Sequence, residues 1–372
     1  MKSLHKLYFI HLKVISYRTP KNVWSGFRGS FILHHNNDAN DVMIMKPQHF
    51  LFTLLMLAGV GCSPTPQAEK QNEKTEHHAP ANSIYYWKTV FDLNETEWNF
   101  LDEYHVKRLY LRLFDVVHAD KSVKSDFDFE AVPNATIAFK DSVPENVEII
   151  PVVYITIDAL RQIVNSDKDY AGLIVERVIN IADFHDLGHI SEVQLDCDWT
   201  QQTQNGYYAL CKSVKEKLEP YGIALSCTIR LWQLACACPP VDRGVLMLYN
   251  TGNVTNPNTQ NSILDLDDVK SHLKGKNYGL PLDFAYPIFS WYVWFHNDAY
   301  RGLFHEMPTG ELDEGDTLRE ERVTFEDLRS LDSLLRIKIH KSDFASVILY
   351  HLDSANLSNY STDEIRQIYR YN

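Results

Sequence analysis

Two aspartates stand one residue apart in the mainly apolar stretch SEVQLDCDW, residues 191–199. Side chains two positions apart on a strand share a face, so Asp196 and Asp198 point the same way, with Cα atoms about 6.5 Å apart. Two adjacent carboxylates can share a proton, which raises the pKa of one of them, as in acid–base pairs. Asp196 and Asp198 are therefore the candidate catalytic residues.

Two arginines occur in the same phase, late in other strand-like runs. Arg112 belongs to RLYLRLF and Arg230 to IALSCTIRL, where each shares a face with small or polar residues. A buried charge needs a partner, so we expect Arg112 and Arg230 within salt-bridge distance of Asp196 and Asp198. The alternative is an ion-pair network with a purely structural role.

The elements that must position these side chains alternate along the chain. Eight strand-like runs separated by helical patterns, over roughly 290 residues, are typical of an α/β fold, a (β/α)₈ TIM-like barrel. A doubly wound open sheet is the rival, but it needs fewer strands and a Gly-rich first turn. The predicted strands are 84–91, 106–116, 147–155, 192–198, 223–231, 245–250, 280–288 and 346–352. The predicted helices include 95–104, 170–186, 206–218, 266–274, 325–337 and 362–369, and Thr324 with Asp327 predicts a cap for the penultimate one.

In such a barrel the apolar strand faces pack on the helices and the polar faces point inward. The late strand positions of the two aspartates and two arginines place them at the carboxyl end, where barrel active sites lie. Asp283 alternates with Ala285 on the seventh strand and is expected to share this interior.

Aromatic residues concentrate after the seventh strand, in FAYPIFSWYVWFHNDAYRGLF, residues 284–304. Trp291, Tyr292, Trp294 and Phe295 are too close in sequence to face inward together. We therefore expect a loop above the barrel, inside an insertion between strands seven and eight, whose rings stack on sugars; core filling is the alternative. The acidic GELDEGDTLREER that follows predicts a solvated loop. By the same strand count, Trp87 and Trp199 lie near the mouth.

Two motifs resemble a known family. LDCDWT, residues 195–200, resembles the fourth-strand signature D-x-D-W-E of family 18 glycoside hydrolases, the chitinase-like barrels, and MLYN, residues 247–250, resembles their sixth-strand motif M-x-Y-D/N. Both motifs fall on the expected strands. The resemblance implies that Asp198 orients a substrate acetamide and that Tyr249 helps to hold it. With CTIRLWQL, PPVDRGVLMLYNTGN and the polar segment before the domain, the chain also resembles barrel lipoproteins of Gram-negative bacteria over most of residues 84–372, a resemblance that implies no particular activity.

The chain departs from that family at the catalytic acid. Thr200 stands where the family keeps a glutamate, and the third strand, PVVYIT, lacks its small-residue motif. Glycoside cleavage needs a proton donor for the leaving oxygen, and threonine is no acid. Asp196, Asp198, Asp115, Asp283 and Asp353 remain open as substitutes.

The resemblance thus implies a barrel mouth that fits a sugar more strongly than it implies hydrolysis of that sugar. We expect a lipid-anchored envelope protein that binds a glycan and, with an acid other than the family's, hydrolyses it. One alternative is a non-catalytic glycan-binding lipoprotein. Another is a metal-dependent hydrolase in which Asp196, Asp198 and either Asp283 or His351 hold Mg²⁺ or Ca²⁺; no metal site or cofactor is assigned. The candidate substrate-binding residues are Trp87, Arg112, Trp199, Arg230, Met247, Tyr249, Asp283, Tyr286, Trp291 and Trp294.

The amino-terminal segment predicts a targeting signal. From Met45 the chain reads MKPQHFLFTLLMLAGVGC, whose apolar part is too short to span a bilayer but is typical of a signal peptide. We predict a lipoprotein signal at 45–61, lipidation of Cys62 and a flexible tether at 62–82, ahead of the barrel domain at 83–372. Residues 1–44 are predicted to precede the true start. A plain secretory signal is the alternative.

The net charge excludes one class of binding partner, and the number of cysteines limits their pairing. Residues 62–372 carry 29 Lys and Arg against 47 Asp and Glu, a net charge of −18 that repels nucleic acid. The five cysteines after Cys62 cannot all pair in an oxidising compartment. We expect Cys197, Cys211 and Cys227 to be small apolar residues packed under a helix. The predicted location is the bacterial cell envelope, on the periplasmic side or the cell surface, with a membrane contact through the lipid.

Overall fold

The structure is a computed structural model that describes residues 80–119, 129–273, 278–308, 312–339 and 345–370. The predicted signal peptide, Cys62 and all but the end of the tether lie outside these residues. Among the described segments, no helix is long and apolar enough to cross a membrane.

Eight parallel strands close into a barrel in which chain neighbours are also spatial neighbours. The eighth strand pairs with the seventh and with the first, and the first pairs with the second. This closure confirms the predicted (β/α)₈ barrel over an open sheet. The strands are β1 (Ser83–Tyr86), β2 (Arg108–His118), β3 (Glu148–Ile155), β4 (Glu192–Asp196), β5 (Ala224–Ile229), β6 (Arg243–Met247), β7 (Leu282–Pro287) and β8 (Val347–Tyr350).

Helices surround this barrel at the predicted places. The amide of Asp327 donates to Thr324 Oγ1 at 3.2 Å, and the Thr324 hydroxyl donates to Asp327 Oδ2 at 2.7 Å, so the predicted cap of the penultimate long helix is confirmed. Two short helices, one after β3 and one after β8, were not predicted. The helices are α1 (Glu95–Glu103), α2 (Ile157–Ile163), α3 (Tyr170–Phe184), α4 (Gln204–Leu218), α5 (Leu266–His272), α6 (Phe325–Ile339), α7 (Ser354–Leu357) and α8 (Thr362–Tyr369), with 3₁₀ turns at Glu219–Tyr221 and Leu231–Ala235.

Strand register confirms which face of each strand points inward. Gln194 of β4 lies opposite Ser226 of β5, and Ser226 lies opposite Arg243 of β6. The hydroxyl of Tyr85 on β1 donates across the interior to Gln194 Oε1 at 2.7 Å. Cys197 and Cys227 are buried on the outer face of their strands, Cys211 is buried on α4, and all three are free thiols, as expected of small packed residues.

The amino-terminal end of the barrel is closed by charged side chains. Arg243 Nη1 lies 2.8 Å from Asp283 Oδ2, and Arg108 Nε lies 3.1 Å from Glu148 Oε2. Glu192 accepts a 2.5 Å hydrogen bond from Ser226 among them. Burial raises the pKa of Glu192 to about 7, although the Ser226 hydrogen bond opposes the shift.

The insertion between β7 and β8 contains a three-stranded antiparallel sheet. Its strands are Ser290–His296, Ala299–Phe304 and Asp316–Arg322, called here the insertion sheet. The predicted aromatic loop and the predicted solvated loop are therefore both wrong over these ranges. Side chains alternate between buried and partly exposed along Ser290–His296, which is the period of a strand covered on one face.

One buried carboxylate ties the insertion sheet to the loop after β6. Glu321 is buried and accepts hydrogen bonds from the amide and hydroxyl of Ser262 at 2.8 and 2.5 Å. The indole N–H of Trp291 donates to it at 2.7 Å, and Arg319 Nε donates at 2.6 Å. Four donors satisfy a charge that would otherwise be costly to bury.

Candidate functional site

An ion pair lies at the carboxyl end of the barrel, called here the mouth. Arg230, directly after β5, places Nε 2.5 Å from Oδ1 of Asp198, two residues after β4. The amide of Arg230 donates to Gln233 Oε1 at 2.8 Å, which fixes the chain as it enters the 3₁₀ turn. The predicted salt bridge between Arg230 and a β4 aspartate is confirmed.

Asp196 lies one inward-facing position below Asp198. It is buried, and Thr228 Oγ1 donates to its Oδ1 at 2.6 Å. Burial and then the neighbouring Asp198 carboxylate raise the pKa of Asp196 to about 6, while Arg230 and Thr228 oppose the shift. Asp196 therefore holds a proton for part of the time near neutral pH.

Arg112 has a different partner from the one predicted. Its Nε donates to Asp115 Oδ1 at 2.8 Å, with a second contact from Nη2 to Oδ2. The register of β2 shifts between Arg112 and Phe114, so that Asp115 lies opposite Tyr154 of β3 and joins the inward set. This bulge gives Arg112 a nearer carboxylate than those of β4. Burial raises the pKa of Asp115 although Arg112 opposes it.

Aromatic rings line the rest of the mouth. Tyr249, after β6, stacks on Tyr350 of β8 with ring centroids 4.7 Å apart and an interplanar angle of 28°. Trp87, after β1, lies 5.7 Å from the Tyr350 ring, and the Arg112 guanidinium lies 5.5 Å over the Trp87 ring. Met247 is buried on the same face of β6 as Tyr249, in register with Ala285.

Three tyrosine hydroxyls at the mouth have unused hydrogen-bonding capacity. Within the described part of the chain, the hydroxyls of Tyr154, Tyr249 and Tyr350 make no hydrogen bond to backbone or side chain. Tyr249 is only 4% exposed. Burial raises the pKa of all three phenols, so they remain neutral and can donate or accept.

Several predicted binding residues lie elsewhere. Trp199 is 1% exposed and contacts the rings of Tyr207, on α4, and Trp232, so its expected place at the mouth is wrong. Trp199 follows Asp198 directly in the sequence, so its side chain points to the opposite face, away from the barrel interior. Thr200, which the sequence resemblance aligns with the family's glutamate, donates its amide to Thr203 Oγ1 at 2.9 Å.

Two residues of β7 are also displaced from the mouth. Asp283 is the second residue of its strand and is fully buried at the opposite end of the barrel, where its Oδ1 accepts from the Ser346 amide at 2.7 Å. Tyr286 faces outward, and its hydroxyl donates to Asp332 Oδ1 of α6 at 2.9 Å. The alternation that places Asp283 and Ala285 inside already excludes Tyr286 from the interior.

The two tryptophans of the insertion sheet lie on opposite faces. Trp291 is nearly buried with its N–H on Glu321, which contradicts an open stacking platform at that residue. Trp294 is partly exposed on the other face, with its ring centroid 6.1 Å from that of Phe304.

A second charged group lies beside the mouth, at the ends of β1 and β8. Lys88 Nζ lies 2.5 Å from Glu97 Oε1 and 3.1 Å from Asp353 Oδ2. Burial lowers the pKa of the adjacent His351 to about 4, although Asp353 opposes the shift, so this imidazole is neutral. Among the residues that the structure describes, no group of three or more His, Cys, Asp or Glu is placed to hold a metal ion. Because Asp283 lies at the other end of the barrel, it cannot join Asp196 and Asp198 as the third ligand of the metal-dependent alternative.

Comparison with solved structures returns chitinase-like barrels. The spore cortex-lytic enzyme SleL of Bacillus cereus is 11% identical, with 76% of this chain and 75% of that chain covered and a TM-score of 0.47. A chitinase from Chromobacterium violaceum is 11% identical (75% and 98% covered, TM-score 0.48), and the group IV chitinase of Ostrinia furnacalis, solved with allosamidin, is 10% identical (78% and 97% covered, TM-score 0.49). No family model and no curated protein matches the chain. At such identities the likeness concerns the barrel fold alone.

Proposed function

We propose that this protein binds a glycan at the mouth of its barrel and is held to the bacterial cell envelope by a lipid on Cys62. The observation that carries the first part is the partly open Asp198–Arg230 pair beside three tyrosine hydroxyls that bond to no described residue. A phenol hydroxyl that bonds to no protein group can donate to and accept from a ligand hydroxyl or amide.

A sugar matches the chemistry of these groups. Each hydroxyl of a pyranose both donates and accepts, and the mouth offers carboxylate acceptors, guanidinium donors and phenols that do both. The rings of Trp87 and Tyr350 add apolar faces against which the C–H face of a sugar can pack. The resemblance of Asp198 and Tyr249 to the acetamide-holding positions of family 18 barrels points the same way.

Binding without the family's hydrolysis is the version that the residues support best. Thr200 cannot protonate a leaving oxygen, and its contacts are local, to Thr203. A second candidate, hydrolysis with Asp196 as the acid, is favoured by one observation, the pKa of about 6 for this carboxyl. Against it, Asp196 is buried below Asp198 and bonded to Thr228, away from an incoming glycosidic oxygen.

The decisive experiment uses the full-length protein, a glycan array and then titration calorimetry. Asp198→Asn should weaken binding of the selected oligosaccharide by about one to two decades, because a charge-assisted hydrogen bond worth roughly 1.5–3 kcal/mol is replaced by a neutral one. Thr200→Ala is the matched control and should bind like wild type. Absence of binding to any neutral, N-acetylated or amino oligosaccharide, or equal affinity of Asp198→Asn, would refute the proposal and leave the ion pairs as structural.

A further inference from the structure

The accessible charge at the mouth is negative. Three aspartates, at 115, 196 and 198, face two arginines there. The arginine side chains are only 14% and 24% exposed and both are held by aspartates, whereas the Asp198 side chain is 45% exposed. An entering ligand therefore meets the open oxygen of Asp198 before it meets an unpaired guanidinium.

The Tyr249 side chain, which is largely buried, is an independent second feature. It belongs to the inward-facing set of β6, is 4% exposed and bonds to no described residue. The charges of both Arg230 and Asp196 act on this phenol. A neutral phenol oxygen can accept a hydrogen bond from a ligand group that has several N–H donors.

We propose that the mouth selects oligosaccharides that carry protonated amino groups, such as de-N-acetylated glucosamine chains, over N-acetylated and acidic ones. This inference rests on the proposed glycan binding and specifies its ligand. An ammonium group has three donors and a positive charge, which suit the Asp198 carboxylate and the Tyr249 oxygen. A uronic acid would instead meet the exposed carboxylate of Asp198, whose guanidinium partner Arg230 is already engaged.

The groups around the mouth also carry a net negative charge. At the ends of β1 and β8, Lys88 faces both Glu97 and Asp353, which leaves one negative charge in excess. Residues 62–372 carry a net charge of −18. A cationic sugar is therefore attracted to the mouth over distances up to the Debye length, which is about 10 Å at an ionic strength of 0.1 M.

Calorimetry on the full-length protein tests the selection with three tetrasaccharides of glucosamine, N-acetylglucosamine and galacturonic acid. At about pH 6, where the amine is protonated, the glucosamine tetramer should bind about tenfold more tightly than the N-acetylated one, with no binding of the galacturonate. This preference should shrink to about threefold or less when salt rises from about 20 mM to about 500 mM.

Two variants locate the effect. Asp198→Asn should abolish the preference for the amino sugar, while Asp183→Asn, which removes the same charge from an exposed position on α3, should keep it. Equal affinity for the glucosamine and N-acetylglucosamine chains, or tighter binding of the galacturonate, would overturn the charge selection and leave glycan binding intact. If none of the three binds and the glycan array is also empty, the proposed function itself fails.

Discussion

At the scale of single residues, Glu192 is the clearest case of a charge set by its surroundings. Two arginines and two other carboxylates, Arg108, Arg243, Glu148 and Asp283, already balance at the amino-terminal end of the barrel. An ionised Glu192 would be one buried negative charge too many, and its pKa of about 7 expresses this. The site at the mouth is separate from this end, where barrel residues serve stability.

This environment makes the stability of the protein depend on pH. The pKa of Glu192 is raised in the folded state, so its contribution is fully present below the unfolded value of 4.5 and is lost as pH rises through about 7. The loss amounts to roughly 3 kcal/mol. Glu192→Gln keeps an acceptor for Ser226 and should flatten the fall in urea midpoint between about pH 5 and pH 8.

Glu176→Gln, at an exposed position of α3, serves as the control and should retain the wild-type slope. If Glu192→Gln also loses stability as steeply as wild type over this range, the titrating group is elsewhere.

At the scale of elements, the insertion sheet depends on Glu321. Trp291, Ser262 and Arg319 converge on this one buried carboxylate, which joins the sheet to the loop after β6. Further hydrogen bonds between them run from Arg319 to three loop carbonyls and from Asn261 to the Arg322 carbonyl. The apolar side chains of the strand Ser290–His296 pack on the same side.

Glu321→Ala should therefore loosen the insertion sheet while the barrel stays folded. Removing this buried acceptor leaves the Trp291 N–H and the Ser262 amide unpaired, at a cost of roughly 3 kcal/mol or more, while Arg319 keeps its hydrogen bonds to backbone carbonyls. Hydrogen exchange of residues 290–304 and 316–322 should accelerate by about two decades, with little change in β1–β8. Glu320→Ala, the exposed neighbour on the same strand, should exchange like wild type. Uniform acceleration across the barrel would contradict a local anchoring role.

At the scale of the whole molecule, the proposed lipid on Cys62 decides where the mouth operates. The polar segment 63–82, with three prolines and no Ile, Leu or Val, is typical of a tether between a lipid and a domain. In a bacterial host, Cys62→Ala should move the protein from the membrane fraction to the soluble fraction, because each buried CH₂ of an acyl chain contributes about 0.8 kcal/mol to anchoring. Cys236→Ala should remain in the membrane fraction. Membrane retention of Cys62→Ala would show that the anchor lies elsewhere.

The sequence by itself determined the barrel, its eight strands and the inward phase of the β4 and β5 residues. These follow from periods of two and 3.6 residues, which are local properties of the chain. Because the strands are consecutive and parallel, Asp198 and Arg230 had to be neighbours at one end, and their ion pair followed from phase and strand order alone.

Only the tertiary structure decided the remaining contacts. The bulge in β2 turned Asp115 inward and gave Arg112 a partner that simple alternation assigns to the wrong face. The strand register places Asp283 at the amino-terminal end of the barrel. Alternation along the strand predicts that its side chain faces inward but not where it lies along the barrel axis. The aromatic run after β7 forms a strand because it pairs on one side with its hairpin neighbour Ala299–Phe304 and on the other with Asp316–Arg322, twenty or more residues away. Pairings of this kind depend on where distant backbone segments meet, which local periodicity does not encode.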